Sequence, residues 1–316
     1  MPATPSPVLP ATAFAGIRIL GTGSALPRRV MTNDDLANIV DTSAEWIVSR
    51  TGIQSRRIAT DETTHSLALA AARRALEAAR VDRARVTLVI CATMTADQIT
   101  PSLACCLQRD LGLREQLLAF DINAACSGFI YALISAQRLL DPGGVALVVG
   151  SETLSRVTDF TDRSTCVLFG DGAGAVVAEP AQLPFFWSTT AQGDGEAISV
   201  HEHIRMDGQT VFRFATRALS SRIREVVQKA GCGLAEIDRF ICHQANRRII
   251  AHAAQQLDVS MERFYLNLAS YGNTSSASVP LALDEAVTEG CLARGQRVVL
   301  AGFGGGLTSG AIYLEY

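Results

Sequence analysis

Two stretches of the chain repeat one layout. LEAARVDRARVTLVICATM (76–94) and VVQKAGCGLAEIDRFICHQAN (226–246) each run helix, short turn, strand, and each strand carries an Ile-Cys pair, at 90–91 and 241–242. Val86–Ala92 is continuously apolar apart from one threonine, the pattern of a strand buried on both faces. CVLFGDGAGAVVAEP (166–180) is echoed by VVLAGFGGGLTSGAIYLEY at the C-terminus. Self-similarity of this kind implies two copies of one α/β unit, and alternating strands and helices imply α/β layers. The seam falls near 180–205. The division is then a loose leader at 1–16, a first half at 17–180, a connecting segment at 181–205 and a second half at 206–316.

Within this frame, Ile17–Leu20 reads as a short strand ending in Gly21-Thr-Gly23. Residues 33–40 and 43–50 read as helices with Thr32 and Thr42 as N-caps. An Ala/Leu-rich helix spans about 63–80, and a helix follows Pro101. Phe120–Ile122 leads through Asn123-Ala-Ala-Cys126-Ser-Gly128 into a helix ending near Leu140. Val145–Gly150 is a further buried strand. Cys166–Glu179 reads as two strands around a Gly-rich turn, and Val211–Gly231 as an amphipathic helix.

The chain has 316 residues, 48% apolar and 19% charged, which excludes disorder for all but its ends. Its 28 Lys+Arg against 31 Asp+Glu give no overall basic signal for nucleic acid. No apolar run approaches the roughly 18 residues of a membrane span. Eight cysteines are scattered without a C-x-x-C, as reduced cytosolic thiols would be. MPATPSPVLPATA lacks the basic start of a signal peptide.

Four stretches could carry chemistry. Cys126 stands at a strand-to-helix turn, where free N–H groups and the helix dipole favour a thiolate. A buried structural thiol is the bland alternative. His243, in Cys242-His-Gln-Ala-Asn246, follows a strand end, where α/β proteins build sites. Asn273 lies in Tyr271-Gly-Asn-Thr-Ser-Ser-Ala-Ser, a turn-forming stretch. Gly302-Phe-Gly-Gly-Gly306 allows close backbone approach or simple flexibility. Two signals fail. Leu26 stands where a dinucleotide fingerprint needs its third glycine, and His201-Glu-His203 has no third ligand at metal spacing.

Taken together and in order, GTGSALP (21–27), DTSAEWIVSRTGI (41–53), AACSGF (124–129), FGDGAGA (169–175), CHQANRRI (242–249), YGNTSSASVPLALDEA (271–286) and GFGGG (302–306) resemble the β-ketoacyl-acyl carrier protein synthase III family. The resemblance runs from about residue 17 to the C-terminus. It implies a thiolase-like fold, two similar halves in five αβαβα layers. It also implies a cytoplasmic homodimer that uses no metal or redox cofactor.

The resemblance further implies a Cys126–His243–Asn273 site. Cys126 takes an acyl group from acyl-CoA as a thioester. Malonyl-acyl carrier protein then loses CO₂, and a protonated ring nitrogen of His243 and the Asn273 amide stabilise the enolate. The backbone N–H groups of Cys126 and Gly305 hold the tetrahedral oxyanion. Trp46, Arg50 and Thr51 match the family's adenine-binding stretch, Arg163 the nucleotide phosphate end, and Gly208, Phe212 and Asn246 the pantetheine tunnel.

Two departures bear on the acyl pocket. Thr100 stands where acetyl-specific members carry a bulky aromatic that reaches the partner's pocket, and the 180–203 segment is short. Thr100 opens the pocket unless Phe129, Leu103 or the short segment refills it. Arg213, Arg217 and Arg224, at i, i+4 and i+11 of one helix, with Arg247 and Arg248 offer a docking face for an acidic carrier. An ordinary solvated face is the competing reading. The expected activity is condensation of an acyl-CoA primer with malonyl-acyl carrier protein. The alternatives are a specialised relative in secondary metabolism, a simple acyltransferase, and a non-catalytic partner subunit.

Overall fold

A computed structural model describes residues 16–316. Strand β1 (Gly16–Ala25) is followed by the paired β2 (Arg29–Thr32) and β3 (Ser55–Ile58), which enclose helices α1 (Asn33–Ala37) and α2 (Ala44–Thr51). Then come α3 (Thr64–Ala79), β4 (Val86–Ala92), α4 (Leu103–Asp110), β5 (Leu118–Ile122), α5 (Gly128–Leu139), β6 (Val145–Glu152), α6 (Arg163–Cys166) and β7 (Gly172–Ala181). The remainder holds β8 (Phe185–Ala191), the hairpin β9 (Ile198–Val200) and β10 (Ile204–Met206), α7 (Gly208–Lys229), β11 (Arg239–Cys242), α8 (Arg247–Leu257), α9 (Leu268–Tyr271), α10 (Ser278–Thr288), β12 (Arg297–Gly304) and β13 (Thr308–Glu315).

The repeat read from the sequence is real. One sheet has the order β1-β7-β6-β4-β5 and the other β8-β13-β12-β11. Strand β4 runs parallel to β6 as β11 does to β12, and β6 runs antiparallel to β7 as β12 does to β13. The two Ile-Cys pairs therefore sit on equivalent strands. Cys91 pairs with Val149, and Cys242 with Ala301.

Five layers follow from where the apolar side chains go. The sheet-facing side of α3 is rich in alanine, so Ala71 and Ala75 lie close on one sheet face, joined by Leu107 of α4 and by Leu147 and Val177. Helices α5 and α10 fill the space between the sheets, with Phe129, Leu133 and Leu283 against Ile90, Val148 and Leu300. Leu219 of α7 and Ile250 of α8 cover the far face, against Phe240 and Val299. Strand β6 is buried along its whole length and alternates between two layers: Leu147 and Val149 face outward, Ala146 and Val148 inward. A strand covered on both sides has no polar face, which is why its sequence does not alternate.

Several expectations are corrected. The first strand does not stop before Gly21 but continues to Ala25. A Cβ on Gly21 would lie 2.4 Å from the Ala79 nitrogen, and one on Gly23 2.4 Å from that of Ala75, so these glycines let α3 rest on β1. Residues 166–179 are not a hairpin: a helix ends at Cys166 and the Gly-rich part is straight strand β7. Ser43, not Thr42, caps α2, accepting from the Trp46 N–H. The 181–205 segment is not a connector, because β8 is the edge strand of the second sheet, bonded to β13. The leader expected at 1–16 lies, except for Gly16, outside the described residues. No helix among the described residues is long and apolar enough to cross a membrane.

Candidate active site

Cys126 lies in a single 3₁₀ turn between β5 and α5. The turn forces Ala125 to φ 45°, a costly conformation for a residue with a Cβ. The Asn123 side chain supports it by accepting from the Ala125 N–H at 3.2 Å. The second half repeats the device before α10. There Ser275 has φ 48° and the Asn273 Oδ1 accepts from the Ser275 N–H at 2.9 Å. With its oxygen engaged in this way, the Asn273 Nδ2 is the end left to donate into the cleft.

His243 extends from β11, with its backbone N–H donating to the Ala301 carbonyl at 2.8 Å. The ring is buried edge-on to Phe303, centroids 5.1 Å apart. Burial pushes its pKa down to about 3. The ring is thus neutral at physiological pH, with one N–H to donate and one nitrogen to accept. Its Nδ1 has no hydrogen-bond partner among the described residues.

Burial also pushes the Cys126 thiol up to about 12, helped by the charge of Glu152 and opposed by Ser275 and the cysteine's own N–H. This corrects the expectation of a thiolate at the helix start. Desolvation outweighs the N-terminal N–H groups, so the resting sulfur is a thiol. Gly304 makes room beside it: a Cβ there would lie 2.7 Å from the Cys126 nitrogen. Gly305 follows the last ladder pair, Gly304 with Thr308, so its N–H sits in the turn and not in the sheet. Ser127 Oγ lies 2.5 Å from Thr308 Oγ1, and Thr308 Oγ1 donates to the Gly305 carbonyl at 2.9 Å, which ties the cysteine turn to the glycine turn.

Cys126, His243, Asn273 and Gly305 line one cavity of about 200 Å³. A second cavity of about 460 Å³, sharing Cys126 and Gly305 with it, has apolar walls, among them Met94, Leu154, Phe169, Ile198 and Ile204. A larger concavity of about 720 Å³, lined by Pro101, Cys106 and Arg109, holds none of the four. The chemistry therefore belongs to the two smaller spaces, which share Cys126 and Gly305, while the imidazole of His243 and the carboxamide of Asn273 face the smaller one.

The sequence matches the family models for "3-Oxoacyl-[acyl-carrier-protein (ACP)] synthase III" over residues 120–195 and for its C-terminal part over 227–316. It is 48% identical to the β-ketoacyl-[acyl-carrier-protein] synthase III of Methylococcus capsulatus, over 95% of this chain and 98% of that one. The chain belongs to the 3-oxoacyl-acyl carrier protein synthase III family. The crystal structure of the Aquifex aeolicus 3-oxoacyl-[acyl-carrier-protein] synthase III is similar, with TM-score 0.92 and 45% identity over 95% of this chain and all of that one. So is that of the priming β-ketosynthase of the R1128 polyketide pathway, with TM-score 0.90 and 37% identity over 98% of each chain. This family of acyl-transferring condensing enzymes has the thiolase-like fold expected from the sequence.

The other expected residues of this synthase III chain divide. Gly208, Phe212 and Asn246 also line the smaller cavity. Asn246 also caps α8 and donates from Nδ2 to the Arg50 carbonyl at 3.1 Å, holding the end of α2 against the histidine loop. Arg163, not Arg50, lies over the Trp46 ring, 4.3 Å from its centroid. Arg50 is exposed. Thr51 is buried, with its hydroxyl donating to the Ile47 carbonyl at 2.7 Å, which makes it a helix-end residue and not a ligand-facing one. Phe129 is fully buried in the central layer and walls neither cavity at Cys126. Thr100 is exposed beside Ile99, also outside both cavities. Arg213 and Arg248 meet at a concavity with Phe212, where the Arg248 guanidinium lies 5.6 Å from the ring centroid. Arg217 and Arg247 are exposed nearby in sequence, while Arg224 turns away and donates to the Gln256 carbonyl at 2.9 Å.

Sequence reasoning misses the walls of the larger cavity. Ile198, Val200 and Ile204 come from the β9–β10 hairpin, inside the segment that reads as a connector. Their short apolar alternation, ISVHEHIRM, is the available signal.

Proposed function

We propose that the chain joins a CoA-linked acyl primer to malonyl-acyl carrier protein, starting fatty-acid synthesis. The observation that carries this is the convergence of Cys126, His243, Asn273 and Gly305 on one cavity. Cys126 Sγ attacks the acyl-CoA carbonyl, and the neutral His243 ring accepts the thiol proton and passes it to the departing CoA sulfur. After CoA leaves, malonyl-acyl carrier protein enters by the same tunnel and loses CO₂. His243, in the tautomer that carries its proton on the cavity-facing nitrogen, and Asn273 Nδ2 donate to the developing enolate oxygen. The enolate carbon attacks the Cys126 thioester, and the oxyanion rests on the N–H groups of Cys126 and Gly305. Collapse expels the Cys126 sulfur as a thiolate, which takes up one proton from solvent, the proton that the overall condensation consumes. Apart from the malonyl carboxylate, every step uses a neutral or transiently charged group, which suits a buried site. Trp46 and Arg163, stacked on each other with the guanidinium 4.3 Å from the ring centroid, offer a flat face for the adenine of CoA.

The working unit of this reading is a cytoplasmic homodimer that needs no metal or redox cofactor. Ile99 stands fully out of the chain at 101% relative exposure, next to Thr100, as a loop reaching towards a second copy would. Incubation with malonyl-acyl carrier protein and a panel of acyl-CoAs tests the reaction: a 3-ketoacyl product supports it, and bare acyl transfer to the carrier contradicts it. The second reading, priming of a polyketide, draws on the likeness to the R1128 enzyme and on a cavity far roomier than acetyl requires.

Primers longer than acetyl follow from that room. Each methylene buried in an open pocket gains about 0.8 kcal/mol. Thr100 lies outside both cavities of its own chain, so Thr100→Phe would act only in the dimer, by reaching the partner's pocket; it is expected to lower kcat/KM for medium and long acyl-CoA while sparing acetyl-CoA. Wild type confined to acetyl-CoA, with Thr100→Phe changing nothing, would show that the pocket is closed by other means.

The acidic carrier docks by Arg213 and Arg248 at the tunnel mouth. Charge reversal in Arg248→Glu is expected to raise KM for the malonyl carrier, with a weaker salt dependence, and to leave the acyl-CoA half-reaction almost unchanged. Rim charges act mainly through encounter rates. A KM indifferent to both mutation and ionic strength counts against docking there.

A further inference from the structure

Glu152, the last residue of β6, is fully buried, and no step above uses it. Its carboxylate accepts from Thr95 Oγ1 at 2.5 Å, Ser276 Oγ at 2.7 Å, the Met94 N–H at 3.2 Å and Thr93 Oγ1 at 3.3 Å. No basic side chain among the described residues forms an ion pair with it. Burying a carboxylate without a cation is costly, and four donors only partly offset that cost.

The internal repeat shows what Glu152 replaces. With Val149 matched to Ala301, Glu152 falls on Gly304. The turns match likewise: Asn123, Ala125 and Cys126 on Asn273, Ser275 and Ser276. Gly304 lies against Cys126, and Glu152 is bonded to Ser276. Where glycine leaves room beside the nucleophile, the equivalent place in the other half is filled by a carboxylate holding a serine.

We propose that Glu152 is a positioning residue for Cys126 and Asn273, clamping the Asn273–Ser276 turn and the Met94 wall behind the reacting groups. Ser276 is the far end of the turn that begins at Asn273. Met94 Sδ receives the Ser275 hydroxyl at 3.8 Å, and both line the cavity at Cys126. The assignment rests on the condensation reading above, but its thiol-reactivity readout reports on Cys126 whether or not that reading holds.

The clamp is also a charge. Burial raises the Glu152 pKa to about 7, and the ionised carboxylate opposes a thiolate at Cys126. Its other neighbours bring no second switch. Thr93, Met94 and Thr95 after β4, and Ser276 before α10, do not titrate here. Asp171, beside the ladder partner Gly172, gives its carboxylate to Ala59 and Ser155. As pH rises through 7, thiolate grows but the newly formed charge restrains it. The logarithm of the Cys126 alkylation rate therefore rises with a slope below one in this range.

The test compares iodoacetamide alkylation of Cys126 between pH 6 and 8, and both half-reactions, in wild type, Glu152→Gln and Ser276→Ala. Glu152→Gln is expected to alkylate severalfold faster at pH 8 with unit slope. Its malonyl decarboxylation should fall about tenfold at unchanged KM, the usual scale for a lost charge-assisted hydrogen bond. Ser276→Ala, which removes one clamp bond and no charge, should lower decarboxylation while keeping the wild-type alkylation slope. An alkylation profile of Glu152→Gln that superimposes on wild type overturns the proposal. If that variant does not fold, Ser276→Ala decides alone, and undiminished decarboxylation there overturns it.

Discussion

Cys126→Ser is expected to abolish acyl-enzyme formation and, with it, condensation. The thiol is itself hard to ionise, because its niche is buried and Glu152 opposes a negative charge there. A serine hydroxyl is harder still to ionise, and its neighbour His243 is an imidazole whose basicity burial has reduced. Sulfur also attacks a thioester carbonyl while only partly deprotonated, which oxygen does poorly. The variant should keep its fold, since the exchange removes little volume at a site that faces a cavity. Radiolabelled acyl-CoA, followed by precipitation of the protein, reads the result. Label retained on Cys126→Ser at the wild-type level would remove Cys126 from the mechanism.

Asn273→Ala should separate the two halves of the reaction. Removing one preorganised donor to a developing oxyanion typically costs about 2.7–4 kcal/mol, a rate loss of 10²–10³. The loss should fall on malonyl decarboxylation, where Nδ2 faces the enolate. Acylation of Cys126 uses the turn amides and His243, and should survive. Part of the effect will be conformational, because the Asn273 side chain also supports the Ser275 backbone at positive φ. Asn273→Asp keeps the acceptor oxygen for the Ser275 N–H and removes the donor, but adds a carboxylate near Cys126, so its decarboxylation is read relative to its own acylation. Equal loss of acylation and decarboxylation in both variants would contradict the division of roles.

Much of this is legible in the sequence, for identifiable reasons. The paired Ile-Cys strands announce a duplicated sheet because a doubly covered strand is apolar along its buried length, as β4 is apart from Thr87 and β11 from Phe240 to Cys242. Cys126, His243 and Asn273 stand out because each occupies a turn at an element's end with small neighbours. What escapes is anything set by contacts across the repeat. Gly21 and Gly23 resemble a loop because glycine favours turns, yet their task is to admit α3. The β8 strand and the β9–β10 hairpin read as connector because their partners lie over 100 residues away or pair through three residues only. Phe129 reads as an acyl-pocket residue because it lies close to the nucleophile in sequence, but the helix directs its side chain to the core. Thr51 and Arg50 are misplaced for a similar reason: one helix turn hides the first, and α6 brings Arg163, expected at the phosphate end, over Trp46 in place of the second. The thiol's charge state is misjudged because a helix N-terminus is visible in a sequence and desolvation is not.

The most direct test of the central claim is mass spectrometry of the enzyme after incubation with acyl-CoA alone and then with malonyl-acyl carrier protein. The account predicts one acyl group on the peptide containing Cys126, lost on addition of the malonyl carrier as the 3-ketoacyl carrier forms. No adduct, an adduct on another residue, or a Cys126 adduct that persists in the presence of the malonyl carrier would contradict it.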